Sequence, residues 1–267
     1  MKIYPLFVIL LLAFVPQVYA GWYNCYNFEG KIGDYAVSLT FQYQPYYFGE
    51  SEKQNLNVLG CYKYDRINTP IRLEGIFVKK TRKIILNEVG DDGNYTAYME
   101  LEETAPNVWK GGWQSLNSPK NFGIEIHLTT QLSDENPDFS FSEIEILQAE
   151  SLPDYYLVGV YGKEKNSHRA SMTALKIIRK NNNELFQTLD FSDYFYDVGN
   201  LKTIIYDNIE LYRVGYTDDR FRLWSDVGRV GGYYEIKFDR EKKRFIVSEE
   251  PLAEGADDAV EVPQSGN

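Results

Sequence analysis

Histidine is the commonest acid–base side chain in enzymes, and this chain has two, His127 and His168. His127 falls in Ile124-Glu-Ile-His-Leu128, where the isoleucines and Leu128 point inward and His127 shares the outward face with Glu125. His168 sits in the charged run from Lys163 to Arg169. Two isolated histidines without a cysteine cluster do not make a zinc site. No Gly-x-Ser-x-Gly elbow, phosphate-binding glycine loop or His-Glu-x-x-His pair occurs. Neighbouring carboxylates are plentiful: Glu100, Glu102 and Glu103; Glu143 and Glu145; Asp218 and Asp219. A glycosidase needs two such groups at a set separation, but an acidic chain produces them without function. Aromatic residues near carboxylates also suit carbohydrate binding. The residues point away from an enzyme, with a carbohydrate-binding protein and, behind it, a glycosidase as the alternatives.

Calcium needs about six to eight oxygens at defined spacing. Asp91-Asp-Gly-Asn94, Asp207-Asn208 with Glu210, and Asp218-Asp219 are oxygen-rich, but none has that spacing. Turn chemistry accounts for them, and no cofactor is expected.

The N-terminus reads Met-Lys, an apolar run from Leu6 to Val15, Pro16, then Val18-Tyr-Ala20. That is the charge, apolar core and small-residue cleavage site of a secretory signal peptide over residues 1–20. The run is short for a membrane span, and no later segment is apolar enough to cross a bilayer. Periplasmic or secreted localisation follows. In that oxidising setting the only two cysteines, Cys25 and Cys61, predict one disulfide.

The most suggestive surface feature is Gln42-Tyr-Gln-Pro-Tyr-Tyr-Phe-Gly49. Tyr43, Tyr46, Tyr47 and Phe48 follow a clear strand and precede a polar stretch. Tyrosine anchors dominate binding hot spots, which makes this loop the candidate partner-binding surface. The competing reading packs these rings under a sheet end.

The elements that would carry such a loop are strands. From Asp34 to Tyr43, Tyr35, Val37, Leu39 and Phe41 alternate with Ala36, Ser38, Thr40 and Gln42. Further strands are predicted at Val58–Tyr64, Ile71–Val78, Lys83–Val89, Tyr95–Glu102, Val108–Gln114 and Phe122–Thr130. Gly30, Gly60, Gly75 and Gly112 fall where a closing sheet bends. Ser133 to Phe139 is polar and reads as a connection. Strands resume with Ile144 and Ile146, then Tyr155–Tyr161, Met172–Arg179, Leu185–Leu189, Leu201–Tyr206, Ile209–Val214, Arg220–Trp224, Tyr233–Phe238 and Arg244–Val247. Asp190 to Asp197 reads as a short helix or an irregular loop. The expected fold is all-β: an N-terminal antiparallel β-barrel or sandwich over 21–132, a second β-sheet module over 140–250, and a disordered acidic tail over 251–267.

Net charge is −11 at pH 7, and the tail holds Glu254, Asp257, Asp258 and Glu261. Such a surface repels phosphate backbones, so nucleic acid is not an expected partner, whereas a basic protein is attracted.

Phe28-Glu-Gly-Lys-Ile-Gly33, Tyr35 to Phe41, Leu59-Gly-Cys-Tyr-Lys-Tyr64, Ile71-Arg-Leu-Glu-Gly75, Ile85-Leu-Asn-Glu88 and Trp109-Lys-Gly-Gly-Trp113 look like a β-module of bacterial periplasmic proteins. Farther on come Leu175-Lys-Ile-Ile-Arg-Lys180, Leu185-Phe-Gln-Thr-Leu189, Ile204-Ile-Tyr-Asp-Asn208, Tyr233-Tyr-Glu-Ile-Lys-Phe-Asp239 and Arg244-Phe245. This C-terminal half resembles a family of periplasmic proteins of xanthomonads. The resemblance implies a β-propeller-like fold, calcium binding and inhibition of lysozyme-type effectors of a bacterial secretion system. Tyr206-Asp-Asn-Ile-Glu-Leu-Tyr212 stands where that family has an Asp-Tyr-Asn-Phe-Asp-Gly-type calcium loop, without its glycine or acidic spacing. Calcium is therefore not carried over. The implied role is a periplasmic lysozyme inhibitor or immunity protein whose partner is a basic peptidoglycan hydrolase or toxin.

Overall fold

The computed structural model describes residues 24–44, 56–133, 143–163, 170–199, 204–206, 209–210, 220–226 and 231–253. Residues 1–20, read above as a signal peptide, lie outside them. The protein is all-β, with no helix among the described residues. Eight antiparallel strands form a closed barrel in sequence order: β1 (Asn24–Ile32), β2 (Tyr35–Tyr43), β3 (Val58–Tyr64), β4 (Ile71–Val78), β5 (Lys83–Val89), β6 (Tyr95–Ala105), β7 (Val108–Ser115) and β8 (Asn121–Ser133). The ring closes where β8 pairs with β1, with a bulge at Asn27/Phe28. The expectation of a barrel or sandwich resolves to the barrel.

Period two sets the interior. Phe28, Phe41, Phe77 and Trp109 meet at its centre, with ring centroids 5.4–6.1 Å apart along the chain of contacts. Val37, Leu39, Leu73, Ile84, Leu86, Met99 and Ile126 fill the remainder. Strand spacing leaves little room at the tightest crossings. A Cβ at Gly30, Gly60 or Gly75 would lie 2.1, 2.6 or 1.9 Å from a neighbouring carbonyl oxygen. On β7 the crowded glycine is Gly111, 1.8 Å from the Glu100 oxygen, and not Gly112 as expected, whose nearest neighbour is 3.9 Å away.

Two sheets follow. β9 (Ile144–Ser151), β10 (Tyr155–Lys163), β11 (Ala170–Arg179) and β12 (Leu185–Asp190) form one, in the order β12-β11-β10-β9. β13 (Ile209–Glu210), β14 (Arg220–Ser225), β15 (Gly232–Asp239) and β16 (Arg244–Val247) form the other, with β17 (Leu252–Ala253) added beside β15. Each is a meander like a propeller blade, and the described residues form two such sheets. The Leu252–Ala253 pairing carries ordered structure past Glu250, into the tail expected to be disordered. Residues 254–267 lie outside the described residues.

One apolar cluster joins the sheets to the outer barrel wall: Leu147, Leu157, Leu175, Ile177, Ile204, Phe221, Leu223 and Phe245 share it with Cys25, Cys61 and Leu132. Polar seams cross the same interface. Asn27 donates to the Glu145 carbonyl at 2.8 Å, the Ile204 N–H donates to the Gln42 Oε1 at 2.8 Å, and Arg72 pairs with Glu150.

The expected Cys25–Cys61 disulfide is absent, and both cysteines are unbridged and buried. The register explains why. Cys25 opposes Gln42 and Cys61 opposes Thr40, so all of β2 lies between them. Two strand spacings of ~4.8 Å already exceed the ~7 Å Cα separation that a disulfide tolerates.

Candidate functional surfaces

Tyr43, the first aromatic of the candidate partner-binding loop, is turned away from solvent. It is buried inside the barrel, edge-on to Phe77 at 5.2 Å, with the Lys79 ammonium over its ring. Tyr46, Tyr47 and Phe48 lie outside the described residues. This barrel end is stoppered by Arg82, whose guanidinium stacks on Phe77 and Trp109 at 5.5 and 5.2 Å.

Four of the carboxylates that raised the glycosidase reading have ordinary partners, while Glu100 is exposed on β6. Glu102 pairs with Lys83 at 3.4 Å, Glu103 with Arg82 at 2.5 Å and Glu145 with Lys176 at 2.5 Å. Glu143 accepts from the Thr173 hydroxyl at 3.1 Å. His127 is exposed, 3.7 Å from Glu125, which Lys110 also holds. His168 and Asp218-Asp219 lie outside the described residues. Asp92 accepts from the backbone and side chain of Asn94, which sets the β5–β6 turn and pulls the Asp92 carboxyl below its ordinary range. Among the described residues no three of His, Cys, Asp and Glu gather as a metal site would require.

The opposite barrel end carries the turns at 33–34, 65–70, 90–94 and 116–120. Just inside it, Glu88 continues the inward alternation of Ile84 and Leu86. A carboxylate placed there needs donors, and it has three. The Tyr62 hydroxyl donates at 2.5 Å and the Trp113 Nε1–H to the same oxygen; the Thr96 hydroxyl reaches the other at 3.3 Å. Burial, then the Glu88 charge, push the Tyr62 hydroxyl far above its ordinary pKa, which keeps it a donor. On these two rings rest the mouth aromatics: Tyr64 lies 5.3 Å from Tyr62 and Phe122 lies 5.5 Å from Trp113. Tyr35 stands nearly perpendicular to both Tyr64 and Phe122, at 6.0 and 6.5 Å. Between them opens a cleft of about 410 Å³ lined by Tyr35, Ala36, Tyr64, Arg66, Ile67 and Phe122.

A second surface lies on the C-terminal sheets, where Asp190 to Asp197 is a fixed irregular loop and not a helix. Asp190 accepts from the Ser192 backbone and hydroxyl, Phe191 is buried, and Tyr194 packs edge-on against Tyr234 at 4.9 Å. At the far end Val198 bridges Ser225, and the Asp226 N–H donates to the Asp197 carbonyl at 2.9 Å. Pinned at both ends, the loop leaves Phe195 90% exposed, the most exposed large apolar side chain described. Beside it runs a groove of about 520 Å³ lined by Tyr194, Phe195, Tyr196, Tyr234, Pro251, Asp193, Glu249 and Glu250. Every charge in that lining is negative.

These two surfaces were not singled out by sequence. A signal for the second exists in Asp193-Tyr-Phe-Tyr-Asp197, three aromatics between aspartates on a segment without strand alternation. For the first, the signal is a glutamate at an inward position of β5. Compared with protein-family models, characterised proteins and solved structures, the chain matches none.

Proposed function

We propose that this chain is an exported, non-catalytic protein that binds and inhibits a basic cell-wall hydrolase, or neutralises a toxin of that kind. The observation that carries the reading is the groove at Phe195. An aromatic anchor stands exposed on a pinned loop, and the surrounding charges are Asp193, Glu249 and Glu250. A rigid aromatic gives contact area at small entropy cost. A single-sign rim steers and selects a partner of opposite charge. The net charge of −11 acts in the same direction over longer range. The resemblance of residues 175–245 to periplasmic lysozyme inhibitors and the signal-like N-terminus support the same reading. An inhibitor needs a stiff scaffold and complementary charge, which a filled barrel with two sheets on its wall supplies.

The test is peptidoglycan lysis followed by turbidity, with a panel of basic lysozyme-type hydrolases. The expected result is saturable inhibition that weakens as salt is raised. Absence of inhibition and of a calorimetric complex across the panel overturns the proposal. Sugar release by the protein itself would establish the glycosidase alternative instead.

A further inference from the structure

We infer that the cleft at the barrel mouth is a second binding site, for a compact aromatic group that carries a carboxylate. This does not rest on the proposed inhibitory function. Tyr35 is 48% exposed, Ile67 62% and Phe122 36%, so the cleft leaves substantial apolar surface in water. The near-perpendicular Tyr35 ring and its two neighbours form an angular slot that a flat ring can enter edge-to-face or offset-stacked. The volume lies within the range of small-molecule sites.

The walls do not fold inward to cover one another, because each is held from behind. Tyr64 and Phe122 rest on Tyr62 and Trp113, and both of those bond Glu88. Gly33, at φ 59°, lets the β1–β2 turn run close to the Phe122 ring, where an added Cβ would lie 3.1 Å from the nearest ring atom. The fourth wall is the turn after β3. The N–H groups of Ile67 and Asn68 donate to the Tyr64 carbonyl, and the Asn68 side chain donates to the Lys180 carbonyl of the C-terminal module at 2.9 Å. The slot is thus preformed.

Arg66 fixes the ligand's charge. Among the described residues it is the one charged member of the lining, and it is exposed with no hydrogen bond or ion pair of its own. A free guanidinium beside an aromatic slot matches a carboxylate through paired N–H donors. Of the nearby carboxylates, Glu88 lies beneath the rings and accepts from three donors, and Asp65 accepts from Lys63 and from the Ser38 hydroxyl, each at 3.1 Å. The shared chemistry, ring plus carboxylate, occurs in a free aromatic acid and in the C-terminal phenylalanine or tyrosine of a peptide.

Calorimetry on the full chain tests this with two probes, 3-phenylpropionate and a tetrapeptide ending in phenylalanine, each beside its neutral form (methyl ester, C-terminal amide). Binding of at least one acid, with its neutral form about tenfold weaker or worse, is expected. Whichever acid binds identifies the source. Arg66→Gln should remove the preference for the acid, and Ile67→Glu should abolish binding; both side chains are exposed, so both variants fold. Equal binding of acid and neutral form overturns the inference. So does no binding of either acid, affinity unchanged in Arg66→Gln, or displacement by a neutral oligosaccharide and not by the acids.

Discussion

The Tyr206 hydroxyl reaches into the barrel wall at Leu73: the Leu73 N–H donates to it at 2.9 Å, and the Leu73 carbonyl lies 2.8 Å away. The carbonyl of Gly60, the residue paired with Leu73 across β3 and β4, lies 2.5 Å from the same oxygen. A side chain from the C-terminal module thus satisfies main-chain groups of the barrel, while Arg72 covers its ring at 5.3 Å. Burial pushes the hydroxyl well above its ordinary pKa, so it acts as a neutral donor and acceptor. Tyr206→Phe should cost about 1–3 kcal/mol, the range for stranding buried polar groups. A denaturation midpoint unchanged at constant slope would contradict this.

Cys25 and Cys61 yield the second prediction. Both are buried and unbridged. Burial, reinforced by Glu150, raises the Cys61 thiol well above its usual range, so its reactive thiolate is scarce. Thiol reagents should leave the native protein unmodified and should label two cysteines after denaturation without reductant. Reductant should not shift the melting temperature. No label on the denatured, unreduced chain would restore the disulfide.

Much of the barrel is legible in the alternation of single strands. Lys83 to Val89 places every second residue inside because one face meets the core and the other meets water. The alternation of Tyr35 to Tyr43 puts Val37, Leu39, Phe41 and Tyr43 inside, although Thr40 and Gln42 on its outer face are buried too. β9 is less legible. From Ile146 to Glu150 it is buried on both faces, between barrel and sheets, so its two-residue rhythm is lost and only Ile144 and Ile146 stood out. The cysteines misled for a related reason. Their separation is set by strand order around the barrel, which composition and compartment do not encode. The candidate surfaces are combinations across distant strands: Tyr35, Tyr64 and Phe122 meet only because β1–β3 and β7–β8 close one ring.

A third prediction concerns acid. Arg82 donates to Glu103, the Asn107 N–H donates to its other oxygen, and both depress the Glu103 carboxyl below its ordinary range against the opposing effect of burial. The folded pKa is below the unfolded value, so this stabilisation is complete above the ordinary glutamate pKa of about 4.3. It is lost as pH falls through the folded value. Glu103→Gln should lower stability near neutral pH by about 0.5–1 kcal/mol, after screening of this part-exposed pair. It should also flatten the acid limb of the stability–pH curve. A variant with the wild-type acid limb would show that the pair contributes nothing to it.

The last prediction separates binding from folding at the Phe195 loop. Phe195 is 90% exposed and Phe191 4%, though they are close in sequence and of one type. Removing an exposed ring far from structural contacts changes stability by less than about 0.5 kcal/mol. Removing a buried phenylalanine costs about 3–5 kcal/mol. If Phe195 anchors a basic hydrolase, Phe195→Ala should retain the wild-type melting temperature and lose more than about 2 kcal/mol of binding, the hot-spot scale. Phe191→Ala should melt early and weaken binding only as far as the loop loses its footing. Glu249→Lys with Glu250→Lys should act differently again. Reversing charges at the groove should slow association and reduce its salt dependence, with a smaller effect on dissociation. Surface plasmon resonance at two salt concentrations reads all three variants. Unchanged affinity in Phe195→Ala, with inhibition intact, would move the interface away from this groove.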